Sequence, residues 1–177
     1  MTAADAAAGR VRGHTGELAL TLDGTRDRRW RVHRLHGQTG PRAERKRWQT
    51  GRVTVHGVAI EYEVTGTGRP VVLLHGFPDS GRLWRHQVPA LADAGFQVVV
   101  PDLRGYGRSG KPEAVESYRL RVMTADILAI LAELEIGRAH VVSHDWGASL
   151  AWTLAAVSPG NVDHLVTLSV GHPAPTL

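Results

Sequence analysis

An α/β fold with a mostly parallel sheet is predicted for residues 51–177 by two features of the chain. Short, continuous apolar runs recur at Pro70–Leu74, Gln97–Val100, Ala139–Val142 and His164–Val170, as expected of parallel strands buried on both faces. Stretches with helical periodicity separate them, and strand–helix alternation builds βαβ units around a parallel sheet.

The elements follow in order. Val53–Val55 and Ala59–Val64 alternate around His56-Gly57 and read as an antiparallel hairpin. The first parallel strand is Pro70–Leu74, after a Gly66–Gly68 turn. Leu83–Ala94 reads as a helix stopped by Gly95. Ser117–Ile136 places Leu120, Met123, Ile127, Ile130 and Leu134 on one helical face, with Gly137 closing it. A third helix is expected over Gly147–Val157, ended by Pro159.

The 177 residues suit one domain with one core. There is no cysteine, which excludes disulfides, thiolate metal sites and a cysteine nucleophile. The net charge of +4 belongs to the leader. Residues 1–50 hold 11 Lys/Arg against 5 Asp/Glu, whereas residues 51–177 hold 10 against 12. That leader lacks a sustained apolar period, and Glu17–Leu22 is its only strand-like piece, so residues 1–50 are expected to be mostly disordered. The arginines around Arg42–Arg47 would suit an anionic surface, but no aromatic interleaving or nucleic-acid module accompanies them. No apolar run is long enough for a signal peptide core or a membrane span. The expectation is a cytoplasmic protein with no nucleic-acid or membrane partner.

In parallel sheets ligands bind beyond the carboxyl ends of the strands, so the residues after each run carry the interest. His75-Gly76-Phe77-Pro78 follows the first. Its Gly permits a sharp turn that can aim a backbone N–H at a developing negative charge; a plain loop with a structural histidine fits equally well. Asp102–Gly110 contains Gly105-x-Gly107-x-x-Gly110, a dinucleotide-like pattern. Lys111-Pro112-Glu113 follows instead of a helix start, so a tight structural loop is the preferred reading. Ser143-His144-Asp145-Trp146-Gly147 runs from strand into helix with small residues two before and two after Asp145. That spacing suits a strained strand–helix turn that exposes a nucleophile, here an aspartate. An aspartate N-cap is the competing reading.

His140 and His144 have metal-like spacing, but along a strand they would lie ~13 Å apart, so no metal site is read. Neighbours in an extended segment point to opposite sides, which makes His144 a poor base for Asp145. Trp84 reads as packing, and Trp146 borders the candidate site by following Asp145.

From about Val53 to His172 the chain resembles the epoxide hydrolase and haloalkane dehalogenase branch of the α/β-hydrolase superfamily. The resemblance rests on His75-Gly76-Phe77-Pro78, Trp84-Arg85-His86-Gln87, Asp102–Ser109 and Ser143–Ala148. It implies an α/β-hydrolase fold, truncated here before the lid and the last strands. It also implies catalysis by Asp145, which would attack an electrophilic carbon of a small-molecule substrate and form an alkyl-enzyme ester that water hydrolyses. Phe77 and Trp146 would contact substrate and hold the oxyanion with their backbone N–H groups. Neither a cofactor nor a metal is implied. Phe77 lacks the side-chain donor that dehalogenases often carry at the matching place, which favours an epoxide hydrolase-like enzyme. A haloalkane dehalogenase-like hydrolase and a non-catalytic remnant are the alternatives. The family's lid, orienting acid and base histidine would follow Pro173-Ala174-Pro175, so residues 1–177 alone are expected not to turn over. The edge at His164–Val170 is expected to favour self-association.

Overall fold

The computed structural model describes residues 48–172 and, before them, the strands β1 (Ala8–Gly13), β2 (Gly16–Asp23) and β3 (Arg29–Arg34). The chain divides into two compact units at Arg45/Lys46, five residues before the boundary expected from the change in composition.

In the first unit β1, β2 and β3 form an antiparallel sheet in that order. β2 contains the alternating stretch Glu17–Leu22, and its register sets Leu20 opposite Val32 and Leu22 opposite Trp30. In these three stretches the expected disorder gives way to paired strands. Antiparallel pairing satisfies the backbone locally and does not require the long apolar runs on which the sequence reading relied. The rest of the leader, where disorder was also expected, lies outside the described residues.

The second unit is a six-stranded sheet in the order β4-β5-β7-β6-β8-β9. β4 (Gln49–Val55) and β5 (Val58–Thr65) form the antiparallel hairpin, turning at His56 and Gly57, both with positive φ. β5 pairs antiparallel with β7 (Phe96–Pro101); β6 (Arg69–Leu74), β7, β8 (Ala139–His144) and β9 (Val162–Leu168) pair in parallel.

Successive residues of β6 feed opposite layers. Val72 and Leu74 join a cluster with Ile127, Ile130, Leu150 and Leu154, while Val71 and Leu73 join Trp84, Val88, Val98 and Val100. Period-two alternation with apolar residues at every position is what a central strand between two helical layers requires. Each side chain so buried contributes about 1.5–3 kcal/mol. β9 departs from this pattern. Val166 and Leu168 are exposed, and the strand spans Val162–Leu168 rather than His164–Val170.

Two helices are shorter than their periodicity suggests. Leu83–Ala94 is not one helix: a 3-10 turn at Gly81–Trp84 precedes α1, Gln87–Asp93. Pro89 explains the restart. In a helix begun at Leu83 it would cost an interior hydrogen bond, whereas in the first turn of α1 its missing N–H is harmless. Likewise a 3-10 turn at Val115–Tyr118 precedes α2, Leu120–Glu133, and Arg119 between them is extended. Tyr118 folds back there, its hydroxyl donating to Pro112 O at 2.7 Å. The closing residue of α2 is Glu135, with φ 54°, and not Gly137. Glu135 N–H donates to Ala132 O and Ile136 N–H to Leu131 O, a Schellman closure that turns Ile136 into the core. α3 runs from Trp146 to Val157, with Pro159 after it. Among the described residues no helix is long and apolar enough to cross a membrane.

Candidate active site

The ends of β6, β7 and β8 lie side by side because these strands are parallel neighbours, and their three loops build the site.

Asp145 follows β8 directly and starts α3. Its φ of 53° and ψ of −123° are unusual for a residue with a Cβ. The turn is held from several sides. Asp145 N–H donates to Leu168 O at 3.1 Å, and Asp145 O accepts from Ala148 N–H at 2.8 Å. α3 can start this close to the sheet because Gly147 has no side chain. A Cβ there would lie 2.5 Å from His75 O and 2.6 Å from Leu74 O, both fixed backbone atoms. Ser143, the other small residue, is fully buried and its hydroxyl donates to Val166 O.

Asp145 sits at the N-cap position, yet its side chain makes no capping hydrogen bond within the helix. It turns to the β6 loop, where Phe77 N–H donates to Asp145 Oδ1 at 2.9 Å. The N–H groups of Phe77 and then Trp146 hold the carboxyl below its ordinary pKa, outweighing partial desolvation; His144 adds a small pull in the same direction. Gly76 lets the β6 loop come this near, since a Cβ there would meet Asp145 Cβ at 2.5 Å. Asp145, Phe77 and Trp146, the three site residues singled out in the sequence, are therefore together. Phe77 and Trp146, whose N–H groups hold the carboxylate, are 64% and 57% exposed.

In the His75 loop the structural reading of the histidine holds, while the N–H of Phe77 is bonded to the resting carboxylate of Asp145. His75 Nε2 lies 2.9 Å from Leu103 N–H and its Nδ1 3.0 Å from Gly76 O. Leu103 N–H can only donate, so Nε2 accepts and the proton sits on Nδ1, donated to Gly76 O. Burial lowers the His75 pKa and keeps this neutral tautomer. Tyr106 packs edge-on against His75 and Phe77, with ring centroids 5.3 and 6.5 Å away. Its pKa is raised by burial and then by the Asp145 charge. Sequence reasoning did not mark Tyr106 as a neighbour of the site, because nothing in the spacing of the β7 loop shows that it folds toward β6.

The glycine-rich β7 loop is closed on itself. Asp102 accepts from Gly81 N–H and Arg108 N–H, both at 2.9 Å, and a Cβ on Gly107 would collide with its carboxylate. Ser109 Oγ donates to Asp102 O at 2.6 Å and accepts from Glu61 N–H at 2.9 Å. Arg104, buried beneath, donates to both Asp126 oxygens at 2.9 and 2.6 Å. The space at the three glycines is taken by the chain's own residues, Tyr118 at Gly105, Asp102 at Gly107 and Val58 at Gly110, where a pyrophosphate would need it open. Trp84 is buried packing, as expected.

Residues 69–177 match the family model described as alpha/beta hydrolase fold. Epoxide hydrolase A of Mycobacterium tuberculosis is 45% identical over 120 residues, 67% of this chain and 37% of that protein. The AB hydrolase superfamily protein YfhM of Bacillus subtilis is 37% identical over 123 residues, 68% of this chain and 43% of its own. The crystal structure of epoxide hydrolase A from Mycobacterium thermoresistibile superposes with a TM-score of 0.67 at 40% identity, over 70% of this chain and 40% of that one. The chain thus spans about two fifths of the length of these relatives. A mostly parallel sheet in this strand order, an aspartate on a positive-φ turn between β8 and α3, and a family match over most of the second unit agree with one another: the chain belongs to the alpha/beta hydrolase fold family.

Proposed function

We propose that the chain carries the nucleophile half of an epoxide hydrolase, with Asp145 on a nucleophile elbow. The observation that carries this is the carboxylate of Asp145, held ionised by the Phe77 and Trp146 N–H groups on a turn of φ 53°. With Oδ1 fixed by Phe77 N–H, the second oxygen is the one that attacks. It displaces the ring oxygen from an epoxide carbon: a C–O ester bond forms, the ring C–O bond breaks, and the ring oxygen takes a proton from solvent water to become a hydroxyl. Hydrolysis then requires a base to take a proton from the water that adds to the ester carbonyl; where no such base acts, the ester persists. The tetrahedral oxyanion sits on the same two N–H groups, and its collapse releases a diol and restores the carboxylate. The mechanism uses no cofactor. The exposed faces of Phe77 and Trp146 suit an apolar substituent on the substrate.

The names of the relatives support an epoxide over a haloalkane, as does the absence of a polar side chain at Phe77. The experiment is mass spectrometry after exposure to styrene oxide. A mass increment of one substrate, mapped to the peptide holding Asp145 and missing in Asp145→Asn, is expected. An unchanged mass, or an adduct that survives Asp145→Asn, overturns the proposal.

A further inference from the structure

We infer that the chain binds a first-row divalent transition metal, zinc or a close relative, between His140, Asp163 and His164, at the end of the sheet opposite Asp145.

The site comes from an irregularity in strand pairing. Ala139 of β8 pairs with Val162 of β9, but Val141 pairs with Leu165. Two residues of β9, Asp163 and His164, therefore stand against one residue of β8, His140. In a regular strand neighbouring side chains point to opposite faces; a bulge lifts that rule and lets both reach the same partner.

Three ligand atoms converge as a result. His140 Nδ1 lies 3.2 Å from His164 Nδ1. Asp163 Oδ2 lies 3.4 Å from each of those nitrogens. Tetrahedral zinc binds imidazole nitrogen and carboxylate oxygen at about 2.0–2.2 Å, which sets neighbouring ligand atoms about 3.3–3.5 Å apart. Two sides of the triangle match that edge length at 3.4 Å, and the third, between the two Nδ1 atoms, is slightly shorter at 3.2 Å. An ion just outside its plane touches all three atoms and keeps a fourth position for water. Protons satisfy the cluster less well: two Nδ1 atoms facing each other share one hydrogen between them, and both also face the same carboxylate oxygen.

The surroundings fix the ligands without closing the site. The His140 side chain is largely buried and its ring packs edge-on against Phe96 at 6.1 Å. The His164 side chain is 74% exposed, which gives an ion access. Arg138 opposes a cation, but its Nε is 4.0 Å from the other Asp163 oxygen and donates to Val162 O; so long and exposed a pair is weak. Two neutral imidazoles and one carboxylate favour Zn²⁺, Co²⁺, Ni²⁺ or Cu²⁺ over Mg²⁺ or Ca²⁺. Asp145 follows the far end of β8, roughly 16 Å along the strand at 3.3 Å per residue, so the ion takes no part in ester chemistry. It would clip β9 to β8.

The test is titration of the tag-free chain, residues 1–177, with cobalt(II) chloride, read by visible absorption and by paramagnetic broadening of amide signals. One equivalent giving a four-coordinate spectrum, displaced by zinc, is expected, with broadening centred on His140 and Asp163–His164. His164→Gln and Asp163→Asn, both at accessible side chains, should each weaken binding roughly tenfold or more, while His86→Gln, an exposed histidine elsewhere, should leave it unchanged. Wild-type chain without stoichiometric cobalt binding would overturn the inference. So would undiminished affinity in both cluster variants, or broadening centred elsewhere.

Discussion

Phe77 N–H and Asp145 Oδ1, 68 positions apart in the chain, lie 2.9 Å from each other. That one hydrogen bond joins the loop after β6 to the turn after β8, and Gly76 and Gly147 are the two residues whose missing side chains permit the approach. Charge, backbone strain and close packing meet at the same carboxylate, so they can be separated by substitution.

Asp145→Asn isolates the charge. The amide oxygen still accepts from Phe77 N–H, and the side chain is only partly buried, so stability should change by about 1 kcal/mol or less. Covalent capture of an epoxide should be lost completely. Urea unfolding and adduct mass spectrometry on the same preparation check the two halves. A variant that unfolds would show that the carboxylate is structural, in the manner of an ordinary cap.

Acidity tests the electrostatics. Asp145 is held below its ordinary value of 3.8 by the Phe77 and Trp146 N–H groups. Its folded value is depressed, so its contribution to stability is present above pH 3.8 and is lost as pH falls through the folded value. Its reactivity with an epoxide should therefore be flat across the neutral range. His75 is lowered by burial from an ordinary 6.5. The unfolded chain takes up that proton first, so stability is complete above pH 6.5 and declines as pH falls from there toward the folded value. Carboxylate and imidazole titrations by NMR would check both directions; an Asp145 midpoint above 3.8 would contradict the assigned hydrogen bonds.

Much of this arrangement was legible in the sequence, for identifiable reasons. Uninterrupted apolar residues in Val71–Leu74 and Val98–Val100 are typical of strands covered on both faces, and both runs are such strands. The small residues around Asp145 reported a close strand–helix approach. What escaped depended on contacts between distant segments. Pro89 moves the start of α1, and Glu135 takes the left-handed closing position because Ile136 is drawn into the core, leaving Gly137 unused. The pairing of His140 with Asp163 and His164 needs a bulge between two strands, whereas spacing along one strand pointed only to His140 and His144. Tyr106 reaches the site through the folding of a loop that its glycines permit but do not dictate.

The pair Arg104 and Asp126 is expected to carry a large share of the stability of the β7 loop. Both side chains are almost fully buried, and Asp126 holds Arg104 firmly protonated. Arg104→Met should cost about 3–5 kcal/mol, because it strands a buried carboxylate. The double variant Arg104→Met, Asp126→Leu should recover much of that loss, since the desolvation penalty disappears with both charges. Equal losses in the single and double variants, measured by urea unfolding, would show that the Arg104 bond to Val55 O is the more important one.

Steric room is the last component, and it makes the sharpest comparison. At Gly147 an added methyl meets two backbone oxygens, His75 O at 2.5 Å and Leu74 O at 2.6 Å. Neither can rotate away, because both belong to the end of β6 and the loop it feeds. Gly147→Ala must therefore push α3 off the sheet, at a cost of about 1–3 kcal/mol or more. The displacement starts two residues from Asp145, so its carboxylate should also move away from Phe77 N–H, and its pKa should rise toward 3.8. At Gly160 an added methyl meets nothing within 4 Å, so Gly160→Ala should leave both stability and the Asp145 titration as they are. Unfolding midpoints and the Asp145 carboxyl chemical shift would be measured in parallel. If Gly147→Ala lowers stability without moving the Asp145 titration, the tight packing of α3 serves the fold alone. If both change together, packing at Gly147 is what holds the carboxylate on its two N–H donors.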